Sequence, residues 1–433
     1  MFKKIGGIHI GEYEDHKHIS DNKEIFDFLS PEYIYIPLVE SGSLCEVKVN
    51  EGQHVNVGDV VAFRTGRFSL PVHSSISGTV VSCNKKMWHS SGKMVDCIQI
   101  KNDFKETRNE SSFEKIENPT KEDIRNIAQS KGIVGLGGSG FPTFVKYNVK
   151  NDMDVVILNG AECEPFITAD YRTLLENPQE VLKGLEYIMK AVGAKKGVIA
   201  IKKNKTEAIQ AINNAITLLY LKNVEVFLLK DEYPAGYEKY IVQRVTNKTY
   251  KTLPAEAGAV VNNVSTAFAM YEAVEFGKPL IEKVVTFTGY GLNNPRNVRV
   301  KIGTSASEVI EKIGSYNPKY NDMYLITGGP MTGSTMFSDN VCINRALGCI
   351  LVLPKYPPKA TEPCLGCGKC SAICPMKLTP TEIKRVHAIK DIKLLEALKP
   401  QKCIQCGLCS YVCPSRIDLT EAVGKAKAFV LKK

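Results

Sequence analysis

CLGCGKCSAICP occupies residues 364–375, and CIQCGLCSYVCP repeats its cysteine spacing at residues 403–414. Each run has three cysteines separated by two residues, a fourth after a gap of three, and a proline directly behind it. This is the ligand spacing of domains that hold two [4Fe–4S] clusters. Structural zinc also uses CxxC pairs, but two pairs suffice and a third cysteine would have no role. The runs therefore predict a C-terminal domain that transfers electrons.

In such domains the fourth cysteine of each run typically ligates the cluster of the other run. We expect one cluster, called here the first cluster, to be bound by Cys364, Cys367, Cys370 and Cys413. We expect the other, called here the second cluster, to be bound by Cys403, Cys406, Cys409 and Cys374. The cysteines outside the runs are scattered, and a buried reduced thiol is the expectation for each.

Length and composition describe a multidomain protein of a reducing compartment. A chain of 433 residues is expected to form about three domains. Its 14 cysteines, most of them in the two runs, argue against a disulfide framework. No apolar run approaches the roughly 18 residues that span a bilayer, and the N-terminal stretch has no apolar core of a secretory signal. We expect a cytoplasmic protein, or one bound peripherally to the cytoplasmic face of a membrane.

Positive charge is concentrated at the C-terminal end. The chain has a net charge of +10, and residues 355–433 alone contain fifteen Lys and Arg against six Asp and Glu. This basic region would attract an acidic carrier, subunit or membrane surface. It would equally offset the negative charge of cysteine-ligated clusters, and both interpretations stay open. The basic residues form no recognised nucleic-acid-binding motif and are not interleaved with aromatics, so nucleic acid is not an expected partner.

Residues 33–100 combine short apolar alternation with glycine turns, as in VKVNEGQHVNVGD at residues 47–59. This pattern resembles the barrel-sandwich fold of lipoyl and biotinyl carrier domains. Those domains present a modifiable lysine at a hairpin tip, whereas the corresponding hairpin at residues 71–78 contains none. We therefore expect a structural module, followed by a charged linker at residues 102–120.

Helix and strand patterns alternate beyond the linker. The expected elements are strands at 154–158, 197–201 and 224–229 and helices at 121–130 and 205–221. This order predicts a Rossmann-like α/β domain with a parallel sheet. Residues 283–352 return to strand and turn patterns, with strands expected at 284–288 and 298–302. A proline-rich linker then leads to the cysteine runs.

Two loops of the α/β region carry residues suited to a cofactor. GLGGSGFPT at residues 135–143 contains GxGxxG but follows a predicted helix, whereas a dinucleotide fingerprint follows a strand. Its bare N–H groups could approach a phosphate or flat ring beside Lys146, and a tight structural turn is the alternative. NGAECEP at residues 159–165 follows a predicted strand, at the end where α/β folds bind ligands. Its glutamates could bind ribose hydroxyls or form a solvated acidic loop.

These loops and two later segments, YPAGYEK at 233–239 and LPAEAGAVVNNVST at 253–266, occur in one order along the chain. Together they resemble the C subunit of the Rnf electron-transport complex and, more distantly, the flavin-carrying NADH-binding subunit of respiratory complex I. The likeness covers nearly the whole chain and implies an α/β multidomain fold. The implied domains are an N-terminal arm with a barrel-sandwich (lipoyl-like) domain at 1–105, a Rossmann-like FMN- and NADH-binding α/β domain at 115–280, an SLBB (β-grasp) domain at 281–353 and a ferredoxin-like domain with two [4Fe–4S] clusters at 354–433.

The resemblance also implies a bound FMN with an NADH site above it, so that hydride passes between NAD(H) and FMN and electrons leave singly through the clusters. Contacts to the flavin phosphate and ring are implied for Gly135, Gly137, Gly138, Gly140 and Lys146. Further flavin contacts are implied for Asn159, Asn262, Asn263 and Thr266. Acidic positions that hold flavin or nicotinamide ribose match Glu162, Glu164 and Glu238, and an aromatic position near the ring matches Phe141.

Three features depart from the usual Rnf subunit. The arm GIHIGE at residues 7–12 lacks the Pro-Pro that follows the histidine in that family, Ala235 and Tyr237 replace a Gln and an Ala, and the chain stops soon after the second run. The electron partner therefore stays open between subunits of a membrane complex and, as in soluble paralogues, a dedicated reductase such as proline reductase or a corrinoid system. A cluster relay without its own NADH site is a further alternative, and the sequence leaves the direction of electron flow open.

Overall fold

The computed structural model describes residues 8–9, 14–357 and 359–432, with the backbone alone described for Ile8 and His9. Most of the arm at residues 7–12, and Pro358 of the proline-rich linker, lie outside these residues. The described residues form a barrel sandwich, an α/β domain, a β-grasp module and a helical cluster domain. Within them, no helix combines the length and the apolar character that crossing a membrane requires.

Two antiparallel sheets form the barrel sandwich. The first strands of the chain are β1 (Ile8–His9), β2 (Phe26–Phe28), β3 (Tyr33–Pro37), β4 (Val39–Glu40), β5 (Ser43–Val47), β6 (His54–Val55), β7 (Val60–Arg64), β8 (Leu70–His73), β9 (Gly78–Trp88) and β10 (Met94–Asn102). One sheet has the order β3-β10-β9-β6 and the other β4-β5-β7-β8. Ile34, Ile36, Ile98 and Ile100 are buried in the sandwich core because alternate side chains of a strand share one face. The barrel-sandwich prediction is confirmed.

The hairpin at residues 71–78 is buried along its whole length. Ser75 Oγ donates a hydrogen bond to the carbonyl oxygen of Ile302, in the β-grasp module, over 2.6 Å. A hairpin packed in this way joins two modules and does not present a side chain to a partner, which agrees with the expected structural role.

A four-stranded parallel sheet with the order β13-β12-β11-β15 lies at the centre of the α/β domain. The elements of this region are α1 (Lys121–Ser130), α2 (Thr143–Tyr147), β11 (Val155–Gly160), α3 (Ala169–Glu176), α4 (Pro178–Val192), β12 (Lys196–Lys202), α5 (Thr206–Leu218), β13 (Val224–Leu229), β14 (Glu232–Tyr233), α6 (Glu238–Thr246), β15 (Ala259–Asn263) and α7 (Val264–Phe276). Helices cover both faces of the sheet, which is why its strands are nearly continuous apolar runs. The Rossmann-like prediction is confirmed, and β14 pairs separately with β1.

The β-grasp module contains a six-stranded sheet that takes one strand from the N-terminal arm. Its own elements are β16 (Glu282–Thr288), β17 (Arg296–Lys301), α8 (Ala306–Lys312), β18 (Met323–Thr327), β19 (Ser334–Met336) and β20 (Cys349–Pro354). The strand order is β19-β18-β20-β16-β17-β2, with β2 parallel to β17 at the edge. Val309 and Ile310 of α8 are buried in the same apolar cluster as the inward residues of the sheet.

The described residues of the cluster domain form the helices α9 (Lys369–Ile373), α10 (Pro380–Ala388), α11 (Ile392–Leu398), α12 (Leu408–Tyr411) and α13 (Leu419–Leu431). The two cysteine runs fold alike, since a glycine with positive φ, Gly368 at +70° or Gly407 at +82°, precedes the short helix of each run. Apolar residues of α10, α11 and α13 close the domain around Ile383, Leu395 and Val423.

Candidate functional site

A cavity of about 400 Å³ lies between the α/β domain and the β-grasp module. It is placed at the carboxyl ends of β11 and β15, the edge at which parallel sheets bind ligands. The predicted residues that line it are Gly137, Gly138, Asn159, Glu162, Glu164 and Asn263, together with Cys163. The β-grasp module adds Lys283, Thr327, Gly328, Gly329 and Thr332. We call this space the flavin cavity, after the cofactor that the sequence predicts for these residues.

The glycine loop brings bare backbone to the flavin cavity. It is closed by hydrogen bonds from Gly135 N–H to Phe141 O (2.8 Å) and from Gly140 N–H to Gly135 O (2.9 Å). A Cβ atom on Gly137 would lie 2.9 Å from the amide nitrogen of Asn263. Gly138 has φ +96°, and no described atom lies within 4 Å of the position its Cβ would take. A phosphate or flat ring can therefore approach the loop at Gly138.

Two asparagines at the end of β15 each have a buried side-chain atom with unused hydrogen-bonding capacity. Among the described residues, Asn262 Nδ2 and Asn263 Oδ1 are buried without a hydrogen-bond partner. Asn263 Nδ2 donates to Asp170, and Thr266 Oγ1 accepts from Leu136 N–H over 3.0 Å. Because unpaired buried polar atoms are costly, a hydroxyl-rich ligand at this edge would stabilise them. The residues present therefore fit the hydroxyl-bearing ribityl chain of FMN.

The acidic loop supplies two buried carboxylates that are held by backbone amides. Glu162 Oε1 accepts a hydrogen bond from Asp170 N–H over 2.7 Å, and Lys17 Nζ lies 3.9 Å from its Oε2. Burial raises the pKa of Glu162 to about 7. Glu164 Oε1 accepts hydrogen bonds from the N–H groups of Met331 (2.7 Å) and Thr332 (3.0 Å), and burial raises its pKa. Glu164 thus ties the flavin cavity to the β-grasp module.

The remaining predicted flavin and ribose residues support the flavin cavity from outside its lining. Lys146 Nζ donates to Val261 O over 3.0 Å and lies 3.9 Å from Glu238 Oε2. Glu238 also accepts a hydrogen bond from Tyr250 Oη over 2.9 Å. Phe141 packs edge-on against Phe68 of the barrel sandwich, with ring centroids 5.7 Å apart. Like Gly135, Gly140, Asn262 and Thr266, these residues are not part of the described lining.

Lys283 was not among the residues predicted from the sequence. Its side chain is 6% exposed, its Nζ donates to Arg345 O over 2.7 Å, and it lines the flavin cavity beside Asn263. Burial lowers the pKa of Lys283 to about 7, and the Asp170 carboxylate opposes this shift. The sequence does contain a sign of this role. Lys283 lies on the same face of its strand as the buried Val285, so a charged residue stands where the alternation predicts an apolar, inward-facing one.

The cysteine runs take up an unequal arrangement. A small cavity is lined together by the four cysteines assigned to the second cluster, Cys374, Cys403, Cys406 and Cys409. Of the first-cluster cysteines, Cys364 and Cys367 are exposed, while Cys370 and Cys413 pack with Ile417 and Leu419. No three His, Cys, Asp or Glu side chains of the described residues are grouped as ligands of a single metal ion. In a [4Fe–4S] cluster each thiolate binds a different iron, so its ligands lie further apart.

Cys163 also lines the flavin cavity, and its Sγ would lie 3.0 Å from a Cβ on Gly236. Burial raises the pKa of this thiol, which keeps it protonated at neutral pH.

Three family models match successive parts of the chain. Residues 2–105 match the RnfC barrel sandwich hybrid domain, residues 128–272 the Nuo51 FMN-binding domain, and residues 363–417 a 4Fe-4S dicluster domain.

Similar proteins cover most of the chain. It is 36% identical to the C subunit of the Na(+)-translocating ferredoxin:NAD(+) oxidoreductase complex of Acetobacterium woodii, over 82% of this chain and 81% of the relative. It is 35% identical to the C subunit of the ion-translocating oxidoreductase complex of Rhodobacter capsulatus, over 89% of this chain and 75% of the relative. Among solved structures, an NAD+-reducing [NiFe]-hydrogenase in the air-oxidized state superposes with a TM-score of 0.50 at 16% identity, covering 71% of this chain and 66% of that chain. That likeness concerns the fold alone.

Proposed function

The chain belongs to the family of C subunits of Rnf-type ion-translocating oxidoreductase complexes, and on this premise we propose how its residues carry out the chemistry. It is an NADH-side flavo-iron–sulfur electron-transfer subunit that uses FMN and two [4Fe–4S] clusters and interacts with NADH and with other complex subunits. FMN, when bound, supplies the conversion between hydride transfer and single-electron transfer. The protein supplies position, orientation and electrostatics.

We propose that the glycine loop and the end of β15 hold the flavin. Gly137 and Gly138 would offer backbone to it, and the unpaired Asn263 Oδ1, which lies in the lining, would accept a hydrogen bond from a ribityl hydroxyl, with Asn262 next to it outside the lining. The backbone of Gly135 and Gly140 and the Thr266 hydroxyl would keep the loop in shape, while Asn159 lines the flavin cavity. The unpaired Asn263 Oδ1 is the observation that carries this proposal, because folded proteins rarely leave a buried polar atom without a partner.

We propose that the acidic side of the flavin cavity receives the nicotinamide nucleotide. Glu162 and Glu164 line that side, and a ribose hydroxyl there would donate a hydrogen bond to a carboxylate oxygen as a further partner. Glu238 and Lys146 form an ion pair next to the flavin cavity. The hydrogen bond from Lys146 Nζ to Val261 O would fix this wall of the cavity to β15. The cluster ligands remain as predicted: Cys364, Cys367, Cys370 and Cys413 for the first cluster, and Cys374, Cys403, Cys406 and Cys409 for the second.

We propose that the four modules keep their predicted limits, 1–105, 115–280, 281–353 and 354–433. Strand β2 belongs to the first of these ranges and pairs with the sheet of the third. The external electron partner would be a subunit of a membrane complex, with peripheral binding at the cytoplasmic face. A dedicated reductase, such as a proline reductase or corrinoid system, is the competing assignment. Copurification of the tagged chain from native membranes should recover membrane subunits in the first case and a reductase in the second.

Anaerobic reconstitution with iron, sulfide and FMN, followed by titration with NADH, tests the proposal. We expect bleaching of the flavin absorbance, followed by EPR signals of two reduced clusters. A Glu162→Gln variant should retain FMN while NADH oxidation falls. Glu272→Gln, which alters a partner of Lys278 outside the lining of the flavin cavity, provides the control. A chain that binds clusters but neither retains FMN nor responds to NADH would be a relay, and the proposal would be wrong.

A further inference from the structure

We infer that electrons leaving the flavin cavity reach the second cluster before the first, and that Tyr233 is the positioning residue that holds the second cluster beside that cavity. This inference rests on the proposed function and adds to it the order of the clusters. It follows from the unequal way in which the two cysteine runs meet the rest of the protein.

Tyr233 forms the first connection. Its side chain is 5% exposed, and its Oη donates a hydrogen bond to the carbonyl oxygen of Cys406 over 2.8 Å. Tyr233 Oη also lies 3.4 Å from Glu164 Oε2. The ring packs with Cys163 and Leu408. Because Cys163 and Glu164 line the flavin cavity, one buried side chain extends from the wall of that cavity to a ligand of the second cluster.

The β-grasp module forms the second connection. Glu164 fixes the backbone of Met331 and Thr332 through two hydrogen bonds. The carbonyl oxygen of Met331 lies only 2.7 Å from where a Cβ on Gly407 would be, directly after Cys406. The second-cluster loop is thus held on two sides by residues that also contact Glu164.

The loop of the first cluster, residues 364–368, is exposed along its whole length. Cys364 and Cys367 are exposed, and Leu365 between them is 72% exposed. Within the described part of the chain, no atom lies within 4 Å of the Cβ positions of Gly366 and Gly368, although Gly368 is the counterpart of Gly407. Cys370, a predicted first-cluster ligand, and Cys409, a predicted second-cluster ligand, belong to one apolar cluster with Ile417 and Leu419. The first cluster would therefore adjoin the second on one side and solvent on the other. An external partner can therefore approach the first cluster directly.

Electrons and protons balance along this route. The hydride of NADH and one solvent proton arrive at the flavin, and NAD+ leaves. Two electrons then depart singly, through the second cluster and then the first, to an external one-electron acceptor such as an iron–sulfur protein or a dye, and two protons return to solvent. Reverse flow would use the same order backwards.

Two ligand variants test the order. Cys403→Ser/Cys406→Ser removes the second cluster, and Cys364→Ser/Cys367→Ser removes the first. Dithionite-reduced EPR should show that each variant keeps its other cluster. After mixing with NADH and rapid freezing, we expect the second-cluster signal to persist when the first cluster is absent. We expect loss of the NADH-reduced first-cluster signal when the second is absent. The opposite pattern, or equal reduction of both clusters, would overturn the inference.

Tyr233→Phe tests the positioning residue without touching a ligand. Both dithionite-reduced EPR signals should remain, whereas the interval between flavin bleaching and appearance of the second-cluster signal should lengthen about fivefold, the factor that corresponds to one ordinary hydrogen bond. Tyr240→Phe is the matched control, because its hydroxyl bonds Glu232, the residue before Tyr233, over 2.7 Å. An unchanged interval in Tyr233→Phe would remove Tyr233 from the route.

Failure of the proposed function looks different from failure of this inference. If NADH does not bleach the flavin of the unmodified protein, the proposed function is wrong. If NADH bleaches it and the clusters are reduced in another order, only the order is wrong.

Discussion

Arg345 of the β-grasp module forms a buried ion pair with Glu40 of the barrel sandwich, with Nε 2.7 Å from Oε1 and Nη2 in contact with Oε2. The remaining guanidinium nitrogen, Nη1, donates to the carbonyl oxygens of Pro71 (3.0 Å) and Gly132 (2.8 Å). One arginine therefore joins the β-grasp module to the barrel sandwich and to the segment that leads into the glycine loop. The position of the glycine loop therefore depends on the contacts of Arg345.

Arg345→Met should destabilise the protein by about 3–5 kcal/mol, because it leaves the Glu40 carboxylate buried without its partner. Glu40→Met/Arg345→Met should lose less than Arg345→Met alone, since no unpaired charge remains. Urea unfolding monitored by circular dichroism measures both. A double variant less stable than Arg345→Met would show that the two carbonyl contacts, rather than the ion pair, dominate.

Lys283→Met should weaken FMN binding by about tenfold, the loss expected for one charge-assisted hydrogen bond in a buried site. Fluorescence quenching of FMN titrated with the apoprotein measures the change. Lys301→Met is the control: this neighbouring β-grasp lysine pairs with Glu106 and Glu282 away from the flavin cavity. Equal losses in the two variants would indicate a general effect on the β-grasp module instead of a flavin contact.

Glu162 should give stability a dependence on pH. Its pKa in the folded state is raised to about 7 by burial, against an ordinary value of 4.5. Between these values the folded state binds a proton that the unfolded state has released, so stability falls as the pH rises from about 4.5 to 7. Lys17 and Lys205 oppose the shift, and Asp170 reinforces it.

Glu162→Gln should remove this component. The difference in unfolding free energy between the native protein and the variant should therefore move in favour of the variant between pH 5 and pH 8, by an amount on the order of 1–3 kcal/mol. Chemical denaturation of the apoprotein across this range measures it. A difference that stays constant with pH would mean that Glu162 is ionised throughout, paired to Lys17.

Gly407→Ala and Gly368→Ala form a matched pair in the two cysteine runs. Both positions have positive φ, so each alanine carries a backbone strain of about 1–2 kcal/mol. Only at Gly407 would the added methyl group also collide with Met331 O. We expect Gly407→Ala to lower the melting temperature of the reconstituted protein more than Gly368→Ala does. Equal melting temperatures would mean that the Met331 loop moves aside freely.

Local sequence was sufficient for several helices and strands of the modules. The strand at 224–229 and the helix at 121–130 have the predicted limits, because their apolar periodicities match their structures. The cysteine spacing likewise grouped four thiols that line one small cavity. Such features depend on neighbours in the chain.

Features that depend on distant segments were not predictable. Lys283 belongs to a strand whose module could not be placed over the glycine loop from sequence alone. Lys146 and Glu238 carry the charges expected at a cofactor site, yet they pair with each other at 3.9 Å, outside the described lining of the flavin cavity. The contact between Tyr233 and Cys406 joins residues 173 positions apart, and no local pattern specifies it.

The edge strand β2 has a consequence for how the chain is made. Phe26–Phe28 pair with Val298–Val300, so a strand synthesised before the barrel sandwich completes a sheet whose other strands are synthesised after the α/β domain. On the ribosome this segment must wait unpaired until the barrel sandwich and the α/β domain have emerged. The β-grasp sheet is therefore completed late, and the N-terminal arm pairs with the β-grasp module only after the modules between them have been synthesised.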